Sequence, residues 1–273
     1  MKGRIRFHVF VAGIIAAALS VCPLQARAAE FEAVTLPGTG DSQDLLRALA
    51  QSYAAQYPGR QVTVPNSIGS DGGVRVVGTG ESPIGRVARL PNAAEVAKYG
   101  EFKYLEFARV PVAFVVSRET GVRDLSQQQI CDIFSGRVTN WKEVGGHDLL
   151  IDVQARPDGS NLQTIRKNLG CFAELQVTPK AHFNEHNADL VASMKTFRGA
   201  IGFMPLSEVV LHGFQAVTLD GTPATASAYP LGIGLGFVHR DELSPGTRAF
   251  LDYVETEPAR DIMRKTGHVP VTK

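Results

Sequence analysis

The chain has 273 residues, of which 44% are hydrophobic, so it is long enough to fold as two modest lobes or one large domain. Its 28 basic and 27 acidic residues leave a formal net charge of +1, which argues against a nucleic-acid or membrane-surface partner. Any charge selectivity must therefore be local to a site.

The N-terminal segment has the order of a secretory signal peptide. Lys2, Arg4 and Arg6 form a basic end, an apolar run covers residues 9–21, and the small residues of the segment 26–28 form a cleavage site. The apolar run is short for a membrane span. We predict that residues 1–28 are removed and that the mature protein is periplasmic.

Two alternatives for this segment are an uncleaved anchor and lipidation at Cys22. The first is open because signal cores and membrane spans overlap in composition. The second fits poorly, because Val21 stands where a lipoprotein signal has a small residue.

From residue 31 the chain alternates short apolar runs, Gly-rich turns and amphipathic helices, which predicts an α/β fold with a largely parallel sheet. The predicted strands cover residues 33–36, 61–65, 110–117, 150–154, 200–203 and 231–239. The predicted helices cover residues 42–57, a segment from about 74, 126–136, 161–169, 187–197, 244–255 and 258–266.

Two long apolar strands flank a middle block that has strands and helices of its own. They are residues 110–117 and 231–239, and the second most naturally returns to the first block. We therefore expect a discontinuous first lobe, residues 29–115 and 230–273, around a second lobe, residues 116–229. The two crossovers would form a hinge.

Two cysteines remain in the mature chain, Cys131 and Cys171. An oxidising compartment would allow them to pair as a disulfide. Cys131 also fits the apolar pattern of a helix, where a buried thiol behaves as a small hydrophobic residue. Neither cysteine has the spacing of a metal site, so no metal is predicted.

Three separated segments share a Gly-containing turn with a hydroxyl residue beside the start of a helix. They are residues 38–42, 69–73 and 156–160. Glycine lets backbone amides turn toward a ligand, and a helix N-terminus favours anions. Arg156 adds a guanidinium fork that matches a tetrahedral oxyanion. The candidate ligand-binding residues are Thr39, Ser42, Ser70, Arg156, Gly159 and Ser160.

Several segments of the chain resemble the phosphate-binding proteins of bacterial phosphate ABC transporters. The resemblance rests on the Gly-Ser-Asp-Gly-Gly segment in 67–74, the Asn-Trp segment in 125–141, the Arg-Pro-Asp-Gly-Ser turn at 156–160, and residues 199–203. It implies a type II periplasmic binding fold, a phosphate-like ligand between two lobes, no cofactor and no enzymatic activity. It also implies anion contacts from Ser42, Ser70, Arg156 and Ser160, and an orienting role for Asp158.

The chain departs from this family at two places. Asn161 stands where a glycine is common, which removes an easy backbone approach. Ala88 stands where an acidic or hydroxyl residue could exchange a proton with the ligand, while nearby Arg86 and Arg89 add positive charge. Without a carboxylate acceptor we expect weak discrimination of phosphate from sulfate, unless a nearby aspartate takes its place. The two candidates are Asp41 and Asp71.

Motifs for other chemistry are weak or absent. Residues 182–186 match an H-x-x-E-H zinc pattern, but they follow Pro179 in a predicted loop and not on a helix. The chain has neither a G-x-S-x-G elbow nor a P-loop lysine.

Three functional hypotheses remain. In the first, the protein is a monomeric transport receptor that passes an oxyanion to an ABC permease. The second is a sensory or envelope-associated binding module that contacts a membrane sensor, and the third and weakest is an enzyme on this scaffold.

Overall fold

The computed structural model describes residues 3, 32–156, 160–184 and 187–271, with residue 187 described by its backbone alone. The predicted signal peptide therefore lies outside the described residues, apart from residue 3. The described helices are α1 Gln43–Gln56, α2 Gly69–Gly78, α3 Ala93–Tyr99, α4 Gln127–Ser135, α5 Ser160–Asn168, α6 Asn187–Thr196, α7 Leu206–His212, α8 Pro245–Val254 and α9 Glu257–Lys265.

The described strands are short except for two. They are β1 Val34–Thr35, β2 Val62–Thr63, β3 Ile84–Val87, β4 Lys103–Val116, β5 Asp124–Leu125, β6 Asp152–Ala155, β7 His182–Phe183, β8 Ala200–Pro205, β9 Gln215–Ala216, β10 Thr218–Leu219, β11 Gly232–His239 and β12 Val269–Pro270. No helix of the described part of the chain is long and apolar enough to cross a membrane.

The main sheet is built on the long strand β4 and has the order β3-β11-β4-β8-β6-β7. Residues 103–111 of β4 pair antiparallel with β11, and residues 112–116 pair antiparallel with β8. Within the described residues, the parallel pairs of this sheet are β6 with β7 and β6 with β8, and its other pairs are antiparallel. The expectation of a largely parallel sheet is therefore wrong. Continuous apolar runs indicate burial on both faces, but they do not indicate strand direction.

The strand β4 also begins earlier than predicted. Its second part, residues 110–116, is buried throughout, as the apolar run indicated. Residues 103–106 belong to the same strand but are exposed or half-buried, and they mix polar with apolar side chains. The apolar run alone therefore showed only the half of the strand that crosses the core.

Helix α1 packs one apolar face into the core, as its spacing predicted. Its ends also agree with the prediction, with Ser42 as N-cap and Tyr57 as C-cap. Tyr53 is buried against Phe250 and Tyr253 of α8, with ring centroids 5.3 and 5.2 Å apart. This aromatic cluster joins the first and last parts of the chain.

Helix α4 confirms the predicted capping box. Gln129 N–H donates to Ser126 Oγ at 3.1 Å, and Ser126 N–H donates to Gln129 Oε1 at 2.8 Å. Gly136 ends the helix with φ 81°, a conformation that glycine adopts without steric cost. The helix is tied to the residues that follow α5 by a disulfide between Cys131 and Cys171, whose Cα atoms are 6.1 Å apart.

Helix α2 differs from the prediction. It begins at Gly69, so residues 69–73 form its first turn and do not precede it. Glycine is needed there for packing, because a Cβ at Gly73 would lie 2.5 Å from the carbonyl oxygen of Arg86 and 3.2 Å from Gly38 Cα. The sequence also missed α3 and α7, both short helices of seven residues.

Candidate functional site

A cavity of about 730 Å³ opens among the segments that the sequence singled out. Thr39 and Asp41 line it from the turn between β1 and α1, and Ser67 and Ser70 line it from the start of α2. Asn161, the second residue of α5, lies on the same cavity. Residues at the first two predicted turns and the residue directly after the third therefore meet at one place.

The first turn is held by its own hydrogen bonds. Thr39 is buried, its N–H donates to the Arg86 carbonyl oxygen at 3.0 Å, and its hydroxyl donates to Asp41 Oδ2 at 2.8 Å. Gly38 has φ 140°, and a Cβ there would lie 1.9 Å from the same carbonyl oxygen. Ser42 is buried behind the cavity, and its Oγ has no hydrogen-bond partner among the described residues.

Ser70 is the second residue of α2 and faces the cavity. Its Oγ accepts a hydrogen bond from Ala88 N–H at 3.0 Å. This bond occupies a lone pair and leaves the hydroxyl proton for another acceptor. The first N–H groups of α2 lack partners within the helix, so they add donors and a partial positive charge at the same position.

The third turn is described only in part. Arg156 directly follows β6 and is half-buried, and Ser160 is the exposed first residue of α5. Pro157, Asp158 and Gly159 lie outside the described residues. The predicted roles of Asp158 and Gly159 therefore stay predictions. Of this region, Asn161 lines the cavity, whereas Arg156 and Ser160 do not.

Asp71 and Arg89 pair with each other on the surface. The Arg89 guanidinium bonds Asp71 Oδ1 and also Glu95 Oε1, the latter at 2.7 Å. Glu95, with a smaller contribution from Asp71, raises the pKa of Arg89 above its ordinary value. Because the Asp71 side chain is 89% exposed and bound to Arg89, Asp41 is the aspartate of the two that faces the cavity.

Arg86 has the opposite environment. It lies on β3 directly behind the first turn, and its side chain is fully buried. Its Nη2 donates to the Pro65 carbonyl oxygen at 2.6 Å. Burial, together with the nearby positive charge of Arg47, lowers the pKa of Arg86 to about 10. The guanidinium is therefore still charged at neutral pH.

Sequence reasoning missed the other side of the cavity. It is lined by α7, with Ser207 and Glu208 in its first turn and Val210 and Leu211 further along. A strand that ends at Pro205 and continues into Ser-Glu was a helix-start signal that could have revealed α7. Lys265 at the end of α9, and Thr266 and His268 after it, also line the cavity, and no sequence signal indicated this.

His268 follows α9 and lines the same cavity. Its Nδ1 lies 3.0 Å from Thr266 Oγ1, and its ring is buried. Burial lowers the pKa of His268 to about 4. Gly267 brings this segment onto α7, because a Cβ there would lie 2.7 Å from the backbone of Leu206 and Ser207.

The zinc pattern lies partly outside the described residues. His182 lies on β7, and Glu185 and His186 lie outside the described residues. Among the residues that are described, no group of His, Cys, Asp and Glu could hold a metal ion.

The family model described as a PBP superfamily domain matches residues 25–257. This chain belongs to the PBP superfamily. A curated relative, the phosphate-binding protein PstS of Bacillus subtilis (strain 168), is 27% identical over 246 residues, which cover 88% of this chain and 81% of the relative. The predicted family resemblance is thereby confirmed.

Solved structures of other proteins share the fold of this chain. A protein from Clostridium perfringens, assigned as a phosphate ABC transporter substrate-binding protein and solved with bound phosphate, matches with a TM-score of 0.67 and 28% identity. The match covers 88% of this chain and 100% of that protein. An ABC-type phosphate transport receptor from Vibrio cholerae matches with a TM-score of 0.65 at 22% identity over 87% of this chain and 99% of the receptor. The predicted type II periplasmic binding fold is confirmed.

Proposed function

We propose that this protein is an exported solute-binding protein that captures phosphate or a similar tetrahedral oxyanion for an ABC transporter. The observation that carries the proposal is the cavity where Thr39, Ser70 and Asn161 meet beside helix N-termini. The ligand named in the Bacillus subtilis and Clostridium perfringens relatives supports phosphate as the first candidate.

The chemistry of the cavity suits an anion held mainly by neutral donors. Ser70 contributes a free hydroxyl proton, and the first amides of α2 contribute further donors. Ser42 has an unused hydroxyl close behind the first turn. In our proposal Arg156, Gly159 and Ser160 complete the site from the third turn.

We further propose that the anion is enclosed between two lobes, residues 29–115 with 230–273, and residues 116–229. The strand β4 supports this division because it changes partners between residues 111 and 112, from β11 to β8. The returning chain crosses beside it, where Val112 N–H donates to the Leu231 carbonyl oxygen at 2.8 Å. Tyr229 Oη also donates to the Val112 carbonyl oxygen, at 3.1 Å.

Export and delivery complete the proposal. Residues 1–28 would direct the protein out of the cytoplasm, and the mature monomer would bind its ligand in the periplasm. An ABC permease would then receive the ligand when the two lobes open. This role requires binding and release of an unchanged ligand, so we propose no catalysis and no cofactor.

A thermal-shift screen of the mature protein tests the proposal. The panel contains phosphate, arsenate, sulfate, molybdate and small phosphoesters, and we expect phosphate to raise the melting temperature because it binds the folded state alone. Arg156→Ala should abolish or severely reduce this increase. The matched control, Arg137→Ala, removes an exposed arginine that pairs with Asp132, and it should respond like the parent. A parent protein that no oxyanion stabilises would refute the proposed function.

A further inference from the structure

Arg86 is a buried cation with incomplete hydrogen bonding. Its side chain leaves β3, passes Gly38, and reaches Pro65 and Gln43, with Nη2 2.6 Å from the Pro65 carbonyl oxygen and 3.5 Å from Gln43 Oε1. The remaining nitrogens, Nε and Nη1, are buried and have no hydrogen-bond partner among the described residues. A guanidinium has five N–H donors, so most of its capacity is unused.

No described carboxylate is hydrogen-bonded to the Arg86 guanidinium, and Asp44 acts on its charge only through space. Its acceptors are a backbone carbonyl and a side-chain amide, both neutral. Asp44, the nearby carboxylate, lies 3.6 Å from Arg47, a second cation. Proteins rarely bury a charge without a partner, because the loss of hydration costs several kcal/mol per ion. Burial and Arg47 outweigh Asp44 in their effect on the pKa of Arg86, so we expect a further negative charge from outside the described residues.

The position of Arg86 indicates where that counter-charge binds. Gln43 is the first residue of α1, directly after Ser42, whose buried hydroxyl also lacks a partner. Pro65 belongs to the loop that leads to Ser67 on the cavity. The guanidinium thus lies behind the two chain segments that line the cavity from this side, and Arg86 itself is fully buried and does not line the cavity.

We propose that Arg86 is a specificity-determining residue that binds the negative charge of the ligand from behind the first turn, so that the site favours doubly charged tetrahedral anions. This inference rests on the proposed function and extends it to the ionisation state of the ligand. Arg86 adds a second cation to Arg156, and two positive charges favour a dianion over a monoanion.

A purely structural role for Arg86 predicts different results. In that role the guanidinium holds the 64–66 loop to α1, and its loss destabilises the protein without ligand. Arg47 is a matched control, because it also bonds this loop, through Val64 O at 3.3 Å and Asn66 Oδ1 at 3.0 Å. The Arg47 side chain is 44% exposed.

The experiment compares the parent, Arg86→Met and Arg47→Met by calorimetric titration with phosphate and by melting without ligand. We expect Arg86→Met to weaken phosphate binding roughly 10- to 100-fold, the effect of losing hydrogen bonds to a charged group. Its ligand-free melting temperature should be unchanged or higher, because an uncompensated buried charge is removed. Arg47→Met should bind phosphate like the parent.

Titrations at about pH 5.5 and about pH 8.5 bracket the second ionisation of phosphate. We expect Arg86→Met to reduce the preference for the dianion. Among the described residues, Asp44 and Arg47 act on the charge of Arg86, and Asp41, Glu208 and Lys265 line the cavity. The Arg47→Met control retains all of these groups except Arg47.

Two results would overturn the inference and leave the proposed function intact. One is parent-like phosphate affinity in Arg86→Met. The other is a loss of ligand-free stability in Arg86→Met with an unchanged preference for the dianion. If the parent and the Arg47→Met control also fail to bind any oxyanion, the proposed function itself fails, and the role of Arg86 fails with it.

Discussion

The two aspartates beside the cavity have different partners, and this difference bears on ligand selectivity. Asp71 is bound to Arg89 on the surface, whereas Asp41 lines the cavity and accepts the Thr39 hydroxyl through Oδ2. A carboxylate at this position can accept a proton from the ligand. Asp41 is therefore placed to accept a proton from the ligand, the role that a carboxylate at the position of Ala88 would have.

We predict that Asp41→Asn reduces the preference for phosphate over sulfate, because sulfate carries no proton and would face the Asp41 carboxylate as a like charge. The parent should favour phosphate by roughly 10-fold or more, and the variant should bind both anions similarly. Competition titrations at neutral pH measure this ratio. Asp44→Asn is the control, because Asp44 also lines the cavity but pairs with Arg47. An undiminished preference in Asp41→Asn would show that another group senses the proton.

At the scale of single elements, the disulfide connects α4 to the short 3-10 helix Gly170–Phe172 that follows α5. Cys131 is fully buried, as its place in the apolar pattern of α4 predicted. Of the two sequence interpretations the disulfide is confirmed, and the interpretation of Cys131 as a buried free thiol is wrong.

We predict that reduction of this disulfide lowers the free energy of unfolding by about 4 kcal/mol, because the bond closes a loop with a sequence separation of 40 residues. Urea unfolding with and without a thiol reductant measures the difference. The double variant Cys131→Ala and Cys171→Ala should be insensitive to the reductant. If the parent is equally insensitive, the bond contributes nothing to stability in solution.

We expect the free energy of unfolding to depend on pH through His268, in the segment after α9. Burial lowers the pKa of His268 from 6.5 to about 4, so the unfolded chain takes up a proton in this range while the folded protein does not. The folded protein therefore has its full stability above about pH 6.5, where His268 is neutral in both states. It loses stability as the pH falls toward 4, because the unfolded chain then binds a proton that the folded protein does not.

We predict that His268→Gln, which can keep a polar contact with Thr266, flattens the pH profile. The difference between parent and variant should change by roughly 1.4 kcal/mol per pH unit within this window. Urea unfolding at about pH 7 and about pH 5 gives the free energies of unfolding. If the parent and the variant lose the same free energy of unfolding between these pH values, burial does not disfavour protonation of His268 in the folded protein.

At the scale of the whole molecule, the proposed closure over the ligand would depend on the two places where the chain passes between the proposed lobes. β4 changes partners after residue 111, and the returning chain reaches β11 at Gly232. The hydrogen bonds of Val112 with Leu231 and Tyr229 hold the two crossings together. Such a pair of adjacent crossings can bend while the elements on either side stay rigid.

We predict that saturating phosphate decreases the radius of gyration of the mature protein, because the two proposed lobes close over the ligand. Small-angle X-ray scattering with and without phosphate measures the change. Arg156→Ala, which should not bind, serves as the control and should scatter identically under both conditions. Superimposable profiles for the parent with and without phosphate would contradict closure.

The sequence by itself determined features that depend on neighbouring residues. The limits of α1, the capping box of α4 and its glycine C-cap follow from backbone groups that nearby side chains satisfy. The turn that carries Thr39 was also predicted correctly to lie beside a helix start, whereas Ser70 lies within the first turn of its helix. These signals are local, so a single sequence contains them.

Only the tertiary structure decided the features that depend on distant residues. Strand direction in the main sheet depends on which strands pair with β4, and apolar runs carry no such information. Arg86 and Arg89 are close in sequence, yet Glu95 and Asp71 hold Arg89 at the surface while the contacts of Pro65 and Gln43 place Arg86 inside. Arg86 lies on β3, whose four residues are all buried, whereas Arg89 follows the strand. Residues that are distant in the sequence therefore decide whether each arginine is buried or exposed, because only the fold brings them into contact.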